Sequence, residues 1–378
     1  MSLCLICYHR PIYSGVMCSV NNQFTALNYN DYLNLDTLLN LQSFESEKHG
    51  QVAHDEMLFI ITHQTYELWF KQILYELLSV LELFSAIPLG EKKLHRISAR
   101  IGRIIRIQNV INQQIGILET MTPLDFLDFR NYLIPASGFQ SRQFREIELR
   151  LGLSHHLSNC SYGHFSNEDI IYLEEIANQQ SLFELLDAWL SRTPFLEFND
   201  FSFWNSYRRA VEQMLNDDAK IIENNPVLTA DKRSQQLTEL QLTRQGFLCL
   251  FDEDLYTSYK EEGKFQLNHA ATLAALFIQL YRDEPILQLP FRVLTRLMDI
   301  DAQLTNWRSN HALMAQRMLG RKIGTSGSSG HEYLKSSISG KRIFSDLFNL
   351  STYLIPRSQL PVLPPSLLRN LDFYQERH

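Results

Sequence analysis

Two histidines and one arginine carry most of the chemistry this sequence could perform, and each stands among aromatic or apolar residues at helical spacing. His63 lies in Phe59-Ile60-Ile61-Thr62-His63-Gln64, with Phe59 one turn before it and Tyr66 and Glu67 one turn after. On a helix those positions share a face. An imidazole there can donate or accept one hydrogen bond inside a dry pocket, or it can be a core histidine satisfied by a backbone carbonyl. His311 follows Leu297, Asp301, Leu304 and Trp307 at steps that set all five on one side of a helix. A neutral imidazole on a mostly apolar stripe offers what an axial haem ligand needs, a nitrogen for iron and an apolar wall for the porphyrin. The same pattern also suits a histidine that only packs.

Arg130, in Asp128-Phe129-Arg130-Asn131-Tyr132, lies one turn after Phe126. A guanidinium beside aromatic rings can hold a carboxylate with two parallel hydrogen bonds, or it can pair with Asp128 or another acid of the chain. The segment Gly324-Thr325-Ser326-Gly327-Ser328-Ser329-Gly330 reads as a flexible linker. It also has the composition of a turn whose backbone N–H groups converge on a polar ligand. No Gly-Lys-Ser/Thr follows, so it is not a nucleotide-phosphate loop. Paired Glu-x-x-His motifs of a carboxylate-bridged di-iron bundle are absent, as is His-Glu-x-x-His. A site of two histidines and one carboxylate has no fixed spacing and stays open. Together the residues describe a dry aromatic pocket with two imidazoles and one cation, suited to an amino acid or aromatic acid beside a cofactor.

Helices must position these groups. Asp55 to Phe84 contains neither Gly nor Pro, and its apolar residues recur at helical steps rather than in alternation. Tyr32–Leu41 is periodic in the same way, and further helices are expected near 93–119, 123–131, 139–151, 167–191, 208–222, 231–250, 268–281 and 290–319. Strand signals are almost absent, so the expected fold is all-α, a single large helical domain over residues 26–378. The run Leu133-Ile134-Pro135-Ala136-Ser137-Gly138 separates two helices. The charged stretch Asn216–Gln241 reads as a helical hairpin outside the main bundle, within a peripheral excursion over about 200–262. Residues 1–25 read as an unspecified leader.

Composition narrows the setting. The chain has 378 residues, 45% of them hydrophobic, enough for a sizeable core, and a formal net charge of −7. That acidity argues against nucleic acid or an anionic membrane as partner. The basic stripe Arg96, Arg100 and Arg103, with Lys92 and Lys93 nearby, reads as a solvated face or a subunit contact. No apolar run approaches the length of a membrane span, and Ser2–Tyr8 is too short for a signal peptide. The five cysteines are scattered, and Cys4 and Cys7 form a lone Cys-x-x-Cys with no second pair, which makes a zinc site improbable. These features point to a reducing, cytoplasmic compartment.

The run His54-Asp55-Glu56-Met57-Leu58-Phe59-Ile60-Ile61-Thr62-His63-Gln64-Thr65-Tyr66-Glu67-Leu68-Trp69-Phe70-Lys71 resembles the distal-pocket helix of tryptophan 2,3-dioxygenases nearly residue for residue. So do Pro135-Ala136-Ser137-Gly138-Phe139-Gln140-Ser141, Leu297-Met298-Asp299-Ile300-Asp301, Trp307-Arg308, Asn310-His311, and Asp346–Pro356. The similarity runs in order from about Leu27 to about Arg357. It implies one haem b per subunit, with His311 as the axial ligand of the iron and Trp307 beside it. It implies that His63 contacts the indole N–H, that Phe59 and Phe126 wall the indole, and that Arg130 holds the substrate carboxylate. Thr325 would contact the ammonium and carboxylate end, and Ser137 would belong to the pocket. Tyr29, Tyr32 and Leu33 resemble the segment that completes a neighbour's pocket in a homotetramer.

The reaction implied is L-tryptophan and O2 to N-formylkynurenine, the entry to the kynurenine pathway. Three positions depart from the family pattern: Asn30 stands where Gly is frequent, Ser326 where Gly is usual, and Ser309 where Tyr is common. At Ser326 a left-handed backbone would cost more than with Gly and would slow loop closure or weaken substrate affinity. Two other readings are a haem sensor or carrier without turnover, and a helical scaffold without haem.

Overall fold

The computed structural model describes residues 27–87, 89–153, 165–193, 197–198, 201–320, 342–365 and 367–368. The chain divides into two compact units, Met1–Ser43 and Phe44–His378. In the first, α1 (Tyr29–Leu33) and α2 (Leu35–Leu38) meet at Asn34, which has φ +50°. The Asn28 side chain caps α1 by accepting from the Asp31 N–H at 2.9 Å. The single periodic segment expected over Tyr32–Leu41 is thus two short helices. A left-handed residue between them breaks the helical path, and Asn tolerates it better than most residues.

The second unit opens with α3 (Glu45–Lys48), followed by two long helices, α4 (Glu56–Ser85) and α5 (Glu91–Leu118). On α4 the buried residues Tyr66, Phe70, Ile73, Leu77, Val80 and Phe84 recur every three or four positions. On α5, Leu94, Ile97, Ile101, Ile104, Ile111, Ile115 and Leu118 do the same. Then come α6 (Pro123–Arg130), α7 (Arg142–Leu151), α8 (Asn167–Ala177) and α9 (Leu182–Leu190). A two-residue hairpin pairs Glu197 with Ser202 and Phe198 with Phe201, and it is the sole strand pairing among the described residues. The chain continues through α10 (Phe203–Glu223), α11 (Ala230–Phe251), α12 (Glu253–Glu261), α13 (His269–Leu280) and α14 (Pro285–Leu319). A last short helix spans Ser345–Asn349. The most extensive packing is α5 against both α4 and α14, so α5 is the spine between the two helices that bear the histidines.

The all-α expectation holds, and several elements differ from the sequence reading; the helix expected over 208–222, for one, begins at Phe203. The helix expected over 167–191 is two helices, because Ser181 begins a new one. Its side chain accepts from the Glu184 N–H while the Glu184 carboxylate accepts from the Ser181 N–H, a capping box that ends the preceding run. The helix expected from 290 begins at Pro285, a residue whose missing N–H costs nothing in a first turn, and Pro290 lies inside it. α12 was not expected at all; Asp252 caps it by accepting from the Leu255 N–H at 3.0 Å.

The excursion is rooted in the core at both ends. Phe203, Tyr207, Val211 and Leu215 of α10 are buried, and so are Phe247, Cys249 and Leu250 at the end of α11. Between these roots the pair is largely exposed and is stitched by polar contacts such as Arg244 Nη2 to Asn216 Oδ1 at 3.0 Å. No helix among the described residues is long and apolar enough to cross a membrane.

Candidate active site

Three helices of the second unit supply the candidate residues. α4 carries Phe59, His63, Tyr66 and Phe70; α6 carries Phe126 and Arg130; α14 carries Trp307 and His311. The start of α4 is fixed by Glu56, which is 1% exposed. Its carboxylate accepts from the backbone N–H groups of Glu45 and Ser46, at 2.7 and 3.1 Å, and from the Ser46 hydroxyl at 2.5 Å. Farther along α4, Gln143 of α7 donates to the Glu67 carboxylate at 2.7 Å and to the Glu67 carbonyl at 2.9 Å. α6 is set by Thr122 and Asp125, which cap each other across its first turn, with Pro123 in the first helical position. The Thr122 hydroxyl and N–H hold the Asp125 carboxyl below its ordinary range.

The rings of these helices form a continuous file. Phe126 faces Phe59 at 5.7 Å between centroids, and Phe59 lies 4.1 Å from the His63 ring. Phe129, fully buried, closes the corner at 5.5 Å from Phe59 and 5.4 Å from Phe126. From His63 the file runs to Tyr66 at 6.3 Å, to Phe70 at 6.3 Å and to Trp307 at 6.3 Å. Trp307 stands 5.0 Å from His311 and 4.7 Å from Phe144. The two histidines are therefore joined by one aromatic wall built from α4 and α14.

His63 is committed at one nitrogen. Its Nδ1 lies 2.7 Å from the Phe59 carbonyl oxygen. A carbonyl only accepts, so Nδ1 carries the proton and Nε2 is left with a lone pair. Desolvation lowers the His63 pKa, against the opposing pull of that carbonyl and of Glu67, and keeps the ring neutral. The carbonyl-satisfied core histidine and the pocket histidine are thus the same residue seen from its two nitrogens.

His311 is half-buried and has no hydrogen-bond partner among the described residues. Burial, then the neighbouring His63, push its pKa down to about 4. A neutral imidazole with uncommitted nitrogens, retaining surface inside a desolvated site, fits an axial haem ligand. Trp307 and Tyr66 have buried polar atoms, Nε1 and the hydroxyl, with no hydrogen-bond partner among the described residues, and burial raises the Tyr66 pKa well above the usual tyrosine range.

Arg130 occupies the last turn of α6, half-buried, one helical turn beyond Phe126. Ser137 is half-buried in the following turn, where its N–H donates to the Gln140 side chain at 3.1 Å. Tyr29, Tyr32 and Leu33 belong to the first unit and are 74%, 71% and 40% exposed. Thr325, Ser326 and the rest of the Gly/Ser segment lie outside the described residues, as do Cys4, Cys7 and the leader. Among the described residues no three His, Cys, Asp or Glu side chains converge as a metal site, so a non-haem triad finds no support there.

Sequence reasoning missed two contributors. Phe129 sits three residues from Phe126, a helical-face signal that was available. The buried Glu148 on α7 accepts from Arg308 at 2.7 Å and from Arg145 at 2.6 Å, tying α7 to α14 beside Trp307. Nothing in the spacing of Glu148 and Arg308 announces that pairing.

Fold and site define a helical protein with two desolvated imidazoles joined by a wall of aromatic rings. The family model described as tryptophan 2,3-dioxygenase matches residues 16–354, and the chain belongs to that family. It is 49% identical over 351 residues to the tryptophan 2,3-dioxygenase of Alteromonas mediterranea, covering 92% of this chain and 97% of the relative. It is 48% identical to that of Bdellovibrio bacteriovorus, covering 93% and 99%. It is 44% identical to that of Mus musculus, covering 89% and 84%.

Proposed function

We propose that this chain is a haem-dependent tryptophan 2,3-dioxygenase, converting L-tryptophan and O2 to N-formylkynurenine in the first step of the kynurenine pathway. One observation carries the reading to the residues. His63 donates through Nδ1 to the Phe59 carbonyl and so presents Nε2 as an acceptor within an aromatic enclosure. An indole is the amino-acid ring system that combines a large flat apolar face with a single N–H donor. Phe59 and Phe126 supply faces for the ring, and Nε2 of His63 accepts its N–H. Phenylalanine would leave that acceptor unpaired in a desolvated site, which disfavours it strongly.

Arg130 holds the substrate carboxylate through its guanidinium, with Thr325 at the ammonium and carboxylate end and Ser137 lining the same end of the pocket. Fixing both ends of the substrate orients the indole C2–C3 bond for reaction. His311 would hold the haem through its iron, with Trp307 against the imidazole; the haem, when bound, supplies the activation of O2. The lowered pKa of His311 keeps it in the neutral, ligating form across the physiological range. One haem b per subunit follows from one His311 per chain.

Tyr29, Tyr32 and Leu33 complete the pocket of a neighbouring subunit in a homotetramer; their exposure in a single chain supports that role. Residues 26–378 act as one haem domain, with about 200–262 as its excursion. The cytoplasmic setting is supported by scattered cysteines, of which Cys249 is buried and unpaired.

The test is the absorbance of purified, haem-loaded protein, kept reduced with ascorbate and methylene blue and mixed with L-tryptophan in air. The expected result is a Soret band together with growth of the N-formylkynurenine band. A Soret band without product would leave a haem sensor or carrier. No Soret band would return His311 to the role of a packing histidine.

A further inference from the structure

The helices that meet behind Trp307 leave a small, partly open cavity of about 20 Å³. Its apolar wall comes from Phe70 and Ile73 of α4, Ile111 of α5, Phe144 of α7, and Leu304 and Trp307 of α14. Three amide side chains, Gln108, Asn112 and Gln303, also border it. Their polar atoms do not face it. Asn112 Nδ2 is turned to Gln303, donating to its side-chain oxygen at 2.9 Å and its carbonyl at 3.2 Å, and to the Gln108 carbonyl at 3.1 Å. Gln108 Oε1, Asn112 Oδ1 and Trp307 Nε1 have no hydrogen-bond partner among the described residues, but they are covered by neighbouring atoms and expose no surface to a water. The surface that lines the cavity is carbon.

Size and chemistry then select the guest. A water needs about 10–15 Å³ and two to four polar partners, and an apolar cavity stays dry and accepts apolar guests such as xenon. This one has the volume but offers no polar surface. It is far too small for an indole and large enough for a diatomic whose atoms are each no bigger than a water oxygen. Two of its walls, Phe70 and Trp307, also belong to the aromatic file between the histidines. The Trp307 ring lies 5.0 Å from the His311 ring, and Phe70 stands 6.3 Å from Tyr66, which stands 6.3 Å from His63.

We propose that this cavity is a docking site for an apolar diatomic gas, dioxygen itself, one aromatic side chain removed from the reaction chamber. The choice of dioxygen rests on the dioxygenase reading; the existence of an apolar gas site does not. Gas held there is concentrated from water into an apolar volume. It reaches the chamber when the Phe70 or Trp307 ring swings aside.

Crystals of the full-length, haem-loaded protein pressurised with xenon test the site directly. Xenon bound between Ile111, Phe144 and Trp307 is the expected result. An ordered water hydrogen-bonded to Asn112 or Trp307, or no xenon, overturns it. Ile111→Phe fills the cavity, with Ile111→Met as the milder substitution should the larger ring disturb folding. Either variant is expected to lose xenon and to raise KM for O2 by roughly two- to fivefold, with KM for tryptophan unchanged. Loss of xenon with an unchanged KM for O2 overturns the assignment to dioxygen. Xenon binding in a protein that forms no product at all would refute the dioxygenase reading, and the assignment to dioxygen with it, leaving a gas site alone.

Discussion

Replacing His311 with leucine in the haem-free protein should abolish much of that protein's destabilisation by acid. Burial and the neighbouring His63 hold the folded-state pKa of His311 near 4, against an ordinary value of 6.5. Below the ordinary value the unfolded chain takes up a proton that the folded imidazole refuses, so stability falls as pH drops through this window and levels off beneath the folded pKa. The full difference corresponds to about 3 kcal/mol, and at about pH 5 it amounts to roughly 2 kcal/mol. Leucine fills a similar volume and cannot be protonated. Urea unfolding of the haem-free wild type and of His311→Leu, each at about pH 7 and pH 5, gives four free energies. The acid-induced loss should be smaller in the variant by roughly 2 kcal/mol. The residual loss in the variant belongs to His63, whose pKa is lowered for the same reason, and to other groups. Equal losses in the two proteins would show that the His311 ring is hydrated and would remove the physical basis for treating it as a neutral ligand. Haem binding should magnify the effect, because iron competes with the proton for the same nitrogen.

Arg130→Ala should raise KM for tryptophan by about 10- to 100-fold, the range for a charge-assisted hydrogen-bonded pair. Tryptamine, which lacks the carboxylate, should be affected little; an equal loss on both substrates would count against the clamp. His63→Ala should narrow the preference for tryptophan over its N1-methyl derivative, measured as the ratio of kcat/KM values. An unchanged ratio would mean that Nε2 of His63 does not meet the indole nitrogen. Glu148→Leu should lower unfolding stability by about 3–5 kcal/mol, because it leaves the Arg145 and Arg308 guanidinium groups buried without their shared carboxylate. A change under about 1 kcal/mol in the urea transition would show that water replaces the carboxylate.

What the sequence disclosed and what it withheld follow from the range of the interactions. The histidine faces were legible because helical periodicity is local: Phe59, His63 and Tyr66 must share a side of α4, and Leu304, Trp307 and His311 a side of α14. The absence of Gly and Pro over Asp55–Phe84 was enough to anticipate α4 within one residue at each end. The break at Ser181 was written in Ser181-Leu182-Phe183-Glu184, a capping box that follows the polar Asn178-Gln179-Gln180. α14 starts five residues before the expected 290. Pro285 is the true first-turn residue, and the helix continues through the second proline.

The unreadable part is tertiary. Which end of the His63 ring is committed depends on the Phe59 carbonyl one turn back, and every helical histidine has such a carbonyl nearby. In the folded chain Nδ1 meets that carbonyl while the ring packs on Phe59 of its own helix, and Phe59 is backed by Phe126 and Phe129, which arrive from α6. The Glu148–Arg308 pair crosses 160 residues of chain. It locks α7 to α14 one residue from Trp307, and Phe144 of α7 packs on that indole. The neutral state of His311 is thus a property of three helices that exclude water together, and the family motif Asn310-His311 has meaning only once they do.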